Sequence, residues 1–193
     1  MLLSACGEQR REPELNIIDD KYRNWYEVFV YSYYDSDGDR IGDLTGLAEK
    51  LDYISDLGMN GIWLMPVMPS PSYHKYDVTD YYDIDPQYGT LENFSAMLEK
   101  AHSLGIDVII DLVLNHTSNE HPWFISAKSG EDSEYRDWYN WSDSPQDGYA
   151  KAGDGYYECR FVNTMPDLNL DNPEVRAEIK NILRFWLEDM GVD

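Results

Sequence analysis

Two cysteines in 193 residues are too few for a disulfide framework. Cations are scarce as well: 15 Lys and Arg stand against 37 Asp and Glu, a formal net charge of −22. Nucleic acids and anionic membranes attract basic surfaces, so this balance excludes both as direct partners and leaves neutral substrates and cations. No stretch calls for a membrane-spanning helix. Apolar material is plentiful, at 42% hydrophobic and 14% aromatic residues, which suffices for a buried core and lies outside the composition of disordered chains. The length fits one large domain or part of one.

The first residues read as an address. Leu3-Ser-Ala-Cys6-Gly7 resembles a bacterial lipobox, in which a cysteine after small residues is lipidated and becomes the mature N-terminus. Cys6 is then the expected lipidation site, and the protein is expected outside the cytoplasm, held to a bacterial membrane by lipid alone. The plainer alternative is an ordinary apolar N-terminus, since only Met1 to Ala5 precede the cysteine. Residues 1–21 make up this signal remnant and a charged tether that is nearly free of aromatics. Cys159, the other cysteine, is expected to be a packed thiol.

Beyond the tether a strand-then-helix rhythm sets in. Val28 to Tyr33 reads as a strand, and Leu44, Leu47, Leu51, Ile54 and Leu57 recur at helical spacing up to Gly58. Gly61 to Met65 reads as a second strand closed by Pro66, and Thr90 caps a helix carrying Leu91, Phe94, Leu98, Ala101 and Leu104 up to Gly105. Ile106 to Leu114 is a third strand. Its helix is delayed until Pro173, with Asn172 as cap and Val175, Ile179, Ile182, Phe185 and Trp186 in phase, and Gly191-Val-Asp193 would open a fourth strand. This alternation predicts a parallel sheet with helical crossovers, either an open doubly wound sheet or a closed eightfold barrel. The roughly 55 residues between the third strand and its helix exceed a plain connection. Their aromatics, among them Trp123, Trp138, Tyr139, Trp141 and Tyr157, suit a small packed subdomain and also offer sugar-stacking faces.

Three constellations carry chemistry. Asp111 sits inside an almost wholly apolar strand, where a charge needs a fixed partner, and Asn115-His116 stands at the carboxyl end, where parallel sheets bind ligands. The competing reading is that Asn115 and His116 only cap the strand. Ser72-Tyr-His74-Lys-Tyr76-Asp77, just after the second strand, mixes flat rings with hydrogen-bonding groups, as the grip on a polyhydroxylated ring requires. Asp35, Asp37, Asp39 and Asp43, with the Ile41 carbonyl, alternate as oxygen ligands do around calcium. The loop departs from an EF-hand, with Arg40 at the invariant glycine and Gly46 at the bidentate glutamate, so Asp43 is expected to complete the shell. Turn and cap duty is the alternative for these aspartates.

Taken in order, Asp35-Ser-Asp-Gly-Asp-Arg-Ile-Gly-Asp43, Tyr73-His-Lys-Tyr76-Asp77, Asp111-Leu-Val-Leu-Asn115-His116 and Met165-Pro-Asp167-Leu-Asn169 resemble the signatures of the alpha-amylase family of glycoside hydrolases. The resemblance covers roughly residues 22–193. It implies an α/β fold: the N-terminal part of a (β/α)8 TIM barrel, with strands 1–3, their helices and the start of strand 4. Residues 22–116 would be the first part of the barrel, 117–171 a domain B inserted after strand 3, and 172–193 the third helix and the opening of strand 4.

The same resemblance implies site roles. Tyr76 would lie beneath the sugar at the cleavage point, with His74, Asp77 and His116 as hydrogen-bonding neighbours. Asp111 and Asn115 would support the barrel end. Ca2+ would sit in the Asp35–Asp43 loop, with a possible second ion at Asn115 and Asp167. The substrate would be an alpha-glucan or maltooligosaccharide, cleaved with retention by a nucleophile and a general acid that fall after Asp193. No catalytic carboxylate is therefore expected in these residues, and the chain alone is expected to be inactive. Oligo-1,6-glucosidase and alpha-glucan transglycosidase are the rival activities. A lipid-anchored glycan-binding protein and a calcium-dependent adhesion module are the rivals without catalysis.

Overall fold

The computed structural model describes residues 23–193 except Asp154. Cys6 and the tether over 1–21 lie outside the described residues.

Three parallel strands form one sheet in the order β1 (Trp25–Val28), β2 (Gly61–Leu64), β3 (Asp107–Ile110), with Trp25 opposite Gly61 and Gly61 opposite Asp107. Helix α1 (Leu44–Asp56) links the first two and α2 (Leu91–Ser103) the second two. Asp43 starts α1 by accepting from the Gly46 amide, and Thr90 starts α2 in a reciprocal capping box with Asn93. Gly58 (φ +80) and Gly105 (φ +73) follow the helices in the left-handed region that L side chains avoid.

The helical spacing read from the sequence becomes one buried stripe per helix: Leu44, Leu47, Leu51 and Ile54 on α1, Phe94, Met97, Leu98 and Ala101 on α2. Both stripes share a core with Val28, Ile62, Leu64 and Val108 of the sheet. Each fully buried aliphatic side chain there contributes about 1.5–3 kcal/mol from surface removed from water. The opposite sheet face is open, with Trp25 and Trp63 each 40% exposed.

The first and third strands are shorter than the sequence suggests. β1 ends at Val28, because the chain turns at once into a 3-10 segment (Val30–Ser32), with the Tyr33 amide on the Val30 carbonyl at 3.0 Å. β3 ends at Ile110. The Asp111 amide still reaches the Leu64 carbonyl at 2.8 Å, but Asn115–Asn119 run instead against the returning segment 164–168. No strand forms over Gly191–Asp193, where only Asp193 reaches the ladder, its amide on the Val108 carbonyl at 3.0 Å.

The insertion after β3 encloses a core of its own. It holds a helix that the apolar periodicity did not suggest, α3 (Pro122–Ser129), started by the His121 imidazole and by Pro122 at the first position. A small antiparallel sheet follows, in the order β4 (Trp141–Ser142), β6 (Gly155–Glu158), β5 (Tyr149–Ala152). Phe124, Trp138, Tyr139, Tyr157, Cys159 and Leu168 pack together there, and Phe124 meets Tyr157 edge-on at 4.8 Å. Cys159 is a buried free thiol, pushed above its ordinary pKa by burial.

Helix α4 (Pro173–Arg184), capped by Asn172, returns the chain to the main core and continues as a π-helical turn (Phe185–Asp189). The turn seats Trp186, 1% exposed, against Phe94, with its indole N–H on the Tyr81 carbonyl at 2.8 Å.

Candidate functional site

At the carboxyl ends of β2 and β3 the two loops meet. The Tyr76 hydroxyl donates to Asp111 Oδ2 at 2.7 Å, which supplies the partner that a carboxylate in an apolar strand needs. Burial, the Asp111 charge and the nearby Glu27 carboxylate push the Tyr76 phenol up to about 12. His116 Nε2 lies 3.0 Å from the Tyr76 carbonyl oxygen, so the neutral ring donates there. Burial holds the His116 pKa below its ordinary value, and the imidazole is neutral near pH 7.

His74 and Asp77 belong to the same loop. His74 Nδ1 accepts from the Tyr76 amide at 3.1 Å and lies 3.0 Å from Ser72 Oγ. Asp77 is buried, and its Oδ1 accepts from Ser70 Oγ at 2.7 Å and from Ser72 Oγ. Ser70 lies outside the motif read from the sequence and Ser72 heads it, and both orient Asp77. Phe29 and Tyr31 were also passed over. They flank Tyr73, with ring centroids at 6.2 and 6.1 Å, and His74 joins Tyr73 to Tyr76 at 5.4 and 6.0 Å. Reading β1 through Tyr33 hid the turn that delivers these rings. Phe161, 71% exposed, reaches from the insertion to the His116 ring at 5.2 Å.

Asn115 and Asp167 stand 52 positions apart in sequence, yet Asn115 Nδ2 donates to Asp167 Oδ1 at 3.2 Å. The backbone makes the meeting: a bridge pairs His116 with Asp167, and the Leu168 amide bonds the Asn115 carbonyl at 2.9 Å. Burial raises the Asp167 pKa, and Glu158 adds to the rise, while the Arg160 amide at Oδ2 opposes it.

The aspartate loop beyond β1 folds back through Gly38 (φ +90) and Arg40 (φ +79). Asp35, Asp37 and Asp39 each present a carboxylate oxygen within 4.8 Å of the others, a spacing that could hold a metal ion. Asp35 is held below the ordinary carboxylate pKa by the amides of Gly38 and Arg40. Asp43, expected to complete the shell, is not part of this group. Its oxygens accept from the Ser36 amide and hydroxyl, each at 2.8 Å, and from the Gly46 amide at 2.7 Å, because the first turn of α1 needs its cap. The three clustered carboxylates fit a hard cation, and the loop's own N–H donors already satisfy part of their charge.

A polar cleft of about 880 Å3 lies elsewhere, between the insertion and the start of α4. One face of its Trp141 ring is already covered by the Arg136 guanidinium at 3.4 Å.

The family model described as Alpha amylase, catalytic domain matches residues 27–193. The chain belongs to the alpha-amylase family. Its sheet is accordingly the opening part of a TIM barrel. It is 55% identical over 178 residues to Alpha-amylase 3 of Dictyoglomus thermophilum, covering 89% of this chain and 36% of that protein. Against the oligo-1,6-glucosidase of Parageobacillus thermoglucosidasius it is 42% identical over 184 residues, covering 87% of this chain and 33% of the relative. Among solved structures, Eubacterium rectale Amy13B superposes with a TM-score of 0.87 at 57% identity, over 92% of this chain and 37% of that one. The chain thus spans about a third of the length of the family members it matches.

Proposed function

We propose that this chain is the substrate-gripping part of an alpha-glucan hydrolase acting by retaining double displacement. The observation that carries the reading is the Tyr76–Asp111–His116 cluster, which fixes one aromatic face at the carboxyl ends of two parallel strands. On this reading Tyr76 stacks beneath the sugar, while His74, Asp77 and His116 meet its hydroxyls. Asp111 and Asn115 support the barrel end. Calcium would be held by Asp35, Asp37 and Asp39, with the Ile41 carbonyl as a further donor while Asp43 caps α1, and a second ion would lie at Asn115 and Asp167. Such ions would hold the loops in place rather than take part in bond cleavage.

In the proposed chemistry a carboxylate attacks the anomeric carbon while a carboxylic acid protonates the departing oxygen, and water then releases the sugar. We place both groups beyond Asp193: the family nucleophile ends a Gly-Phe-Arg-x-Asp run, and Gly191-Val-Asp193 resembles the residues just ahead of it. Asp111 and Asp167 are then supporting carboxylates. Purified as it stands, the chain should release no reducing ends from starch, and clear turnover would overturn this placement. The reading frame past Asp193 should continue Gly-Phe-Arg-x-Asp; a stop codon there would favour a glycan-binding lipoprotein instead.

Oligo-1,6-glucosidase activity is the second reading, favoured by the relative of that name at 42% identity. Product analysis on isomaltose and maltose separates the two. Localisation outside the cytoplasm, through lipid on Cys6, belongs to the same proposal. Metabolic labelling with a radioactive fatty acid should mark the wild type and not Cys6→Ser.

A further inference from the structure

Between His74 and Tyr76 stands a residue that the sugar site does not use. Lys75 is 1% exposed, and lysines are almost never fully buried unless paired. Its Nζ donates to Asp85 Oδ2 at 2.8 Å and to Gln87 Oε1 at 2.7 Å, and lies 5.4 Å from the centre of the Tyr88 ring. Its backbone is in the left-handed region, φ +63, where glycine would sit without strain and a lysine does not. The strain turns this one side chain into the interior while its two neighbours stay at the face.

Asp85 gathers the rest of the loop. The same Oδ2 accepts from the Ser70 amide at 3.1 Å, and Ser70 Oγ in turn holds Asp77. Asp85 Oδ1 accepts from the Gln87 amide at 3.0 Å, and the Asp85 amide is fixed on the Val67 carbonyl at 2.9 Å. One buried carboxylate therefore ties the 70–77 loop down at Ser70 and at Lys75, and Lys75 is its paired cation.

We propose that Lys75 is a positioning residue: its ammonium, locked on Asp85 and Gln87, sets the height and tilt of Tyr76 and His74, so the grip on sugar depends on a cation that never touches sugar. The inference deepens the alpha-glucan reading and rests on it for the identity of the ligand. It does not rest on it for the loop geometry.

The test uses the full chain with 13C-labelled tyrosine, the Tyr76 signal being assigned by its loss in Tyr76→Phe. Lys75→Gly relieves the backbone but leaves Asp85 buried without its cation, and that variant can fail to fold. Lys75→Gly with Asp85→Asn removes both charges and carries the test in that case. A double variant with wild-type melting temperature, a displaced Tyr76 signal and maltotriose affinity weakened on the order of tenfold is expected. A Tyr76 signal at its wild-type position in the folded double variant overturns the proposal, whatever happens to affinity. Displacement of Tyr76 in a chain whose wild type binds no maltotriose upholds the positioning role and sinks the sugar reading.

Discussion

The Tyr76 hydroxyl and Asp111 Oδ2 meet at 2.7 Å across 35 residues of sequence, and this one bond joins the loop after β2 to the end of β3. Tyr76→Phe keeps the ring and strands the carboxylate. Urea unfolding should show a loss of about 1–3 kcal/mol, the cost of a half-buried acceptor left without its donor. Maltotriose affinity should change far less than in Tyr76→Ala, which deletes the ring face itself. Equal affinity losses in the two variants would contradict stacking as the role of Tyr76.

His121 makes the insertion acid-sensitive. Its Nδ1 accepts from the Trp123 amide at 3.1 Å to start α3, and burial pushes its pKa from 6.5 down to about 4. Between those values the unfolded chain binds the proton that the folded chain refuses, so stability falls as pH drops from 6.5 toward 4. The full loss is on the order of 3 kcal/mol. His121→Asn keeps a capping acceptor without a titrating ring. Its unfolding free energy, followed by tryptophan fluorescence, should be flatter over that window than the wild type's; identical slopes would remove His121 as the cause.

Calcium should stabilise through the aspartate loop. At about 100 times its dissociation constant, an ion bound only by the folded chain contributes about 2.7 kcal/mol. In a protein of this size that corresponds to roughly 5–10 °C in melting temperature. Asp37→Asn should abolish the calcium-dependent rise seen by calorimetry. Asp43→Ala should lower the melting temperature in chelator as well, because Asp43 caps α1 whether or not an ion is present.

Gly46 sits within α1, where alanine would ordinarily gain about 1 kcal/mol in helix propensity. Here an added Cβ would lie 2.0 Å from the Tyr34 carbonyl oxygen, so backbone must move. Gly46→Ala should therefore destabilise, by about 1–3 kcal/mol once the helix shifts. A more stable variant in thermal denaturation would show that the loop beyond β1 yields more easily than its packing suggests.

Helices α1, α2 and α4 are legible in the sequence almost to the residue, because the caps at Thr90 and Asn172 and a 3.6-residue apolar period are local properties. Strand ends were less legible. Val30 and Tyr31 look like strand, as do Leu112 and Val113, and only competition for backbone partners ends β1 at Val28 and β3 at Ile110. Helix α3 escaped notice because it buries just Phe124 and Ala127, too few to show a period.

The order of the aspartate, tyrosine-histidine and asparagine-histidine motifs by itself determined the family. What lay beyond it was which atoms meet. That Asp111 takes its proton donor from Tyr76 and that Asn115 finds Asp167 are outcomes of the backbone bringing distant segments together. The physical reason is that residue type fixes what a side chain can donate or accept. Which partner it gets depends on the packing of the whole chain, and the sequence places Lys75 beside Tyr76 without revealing that its charge is spent on Asp85.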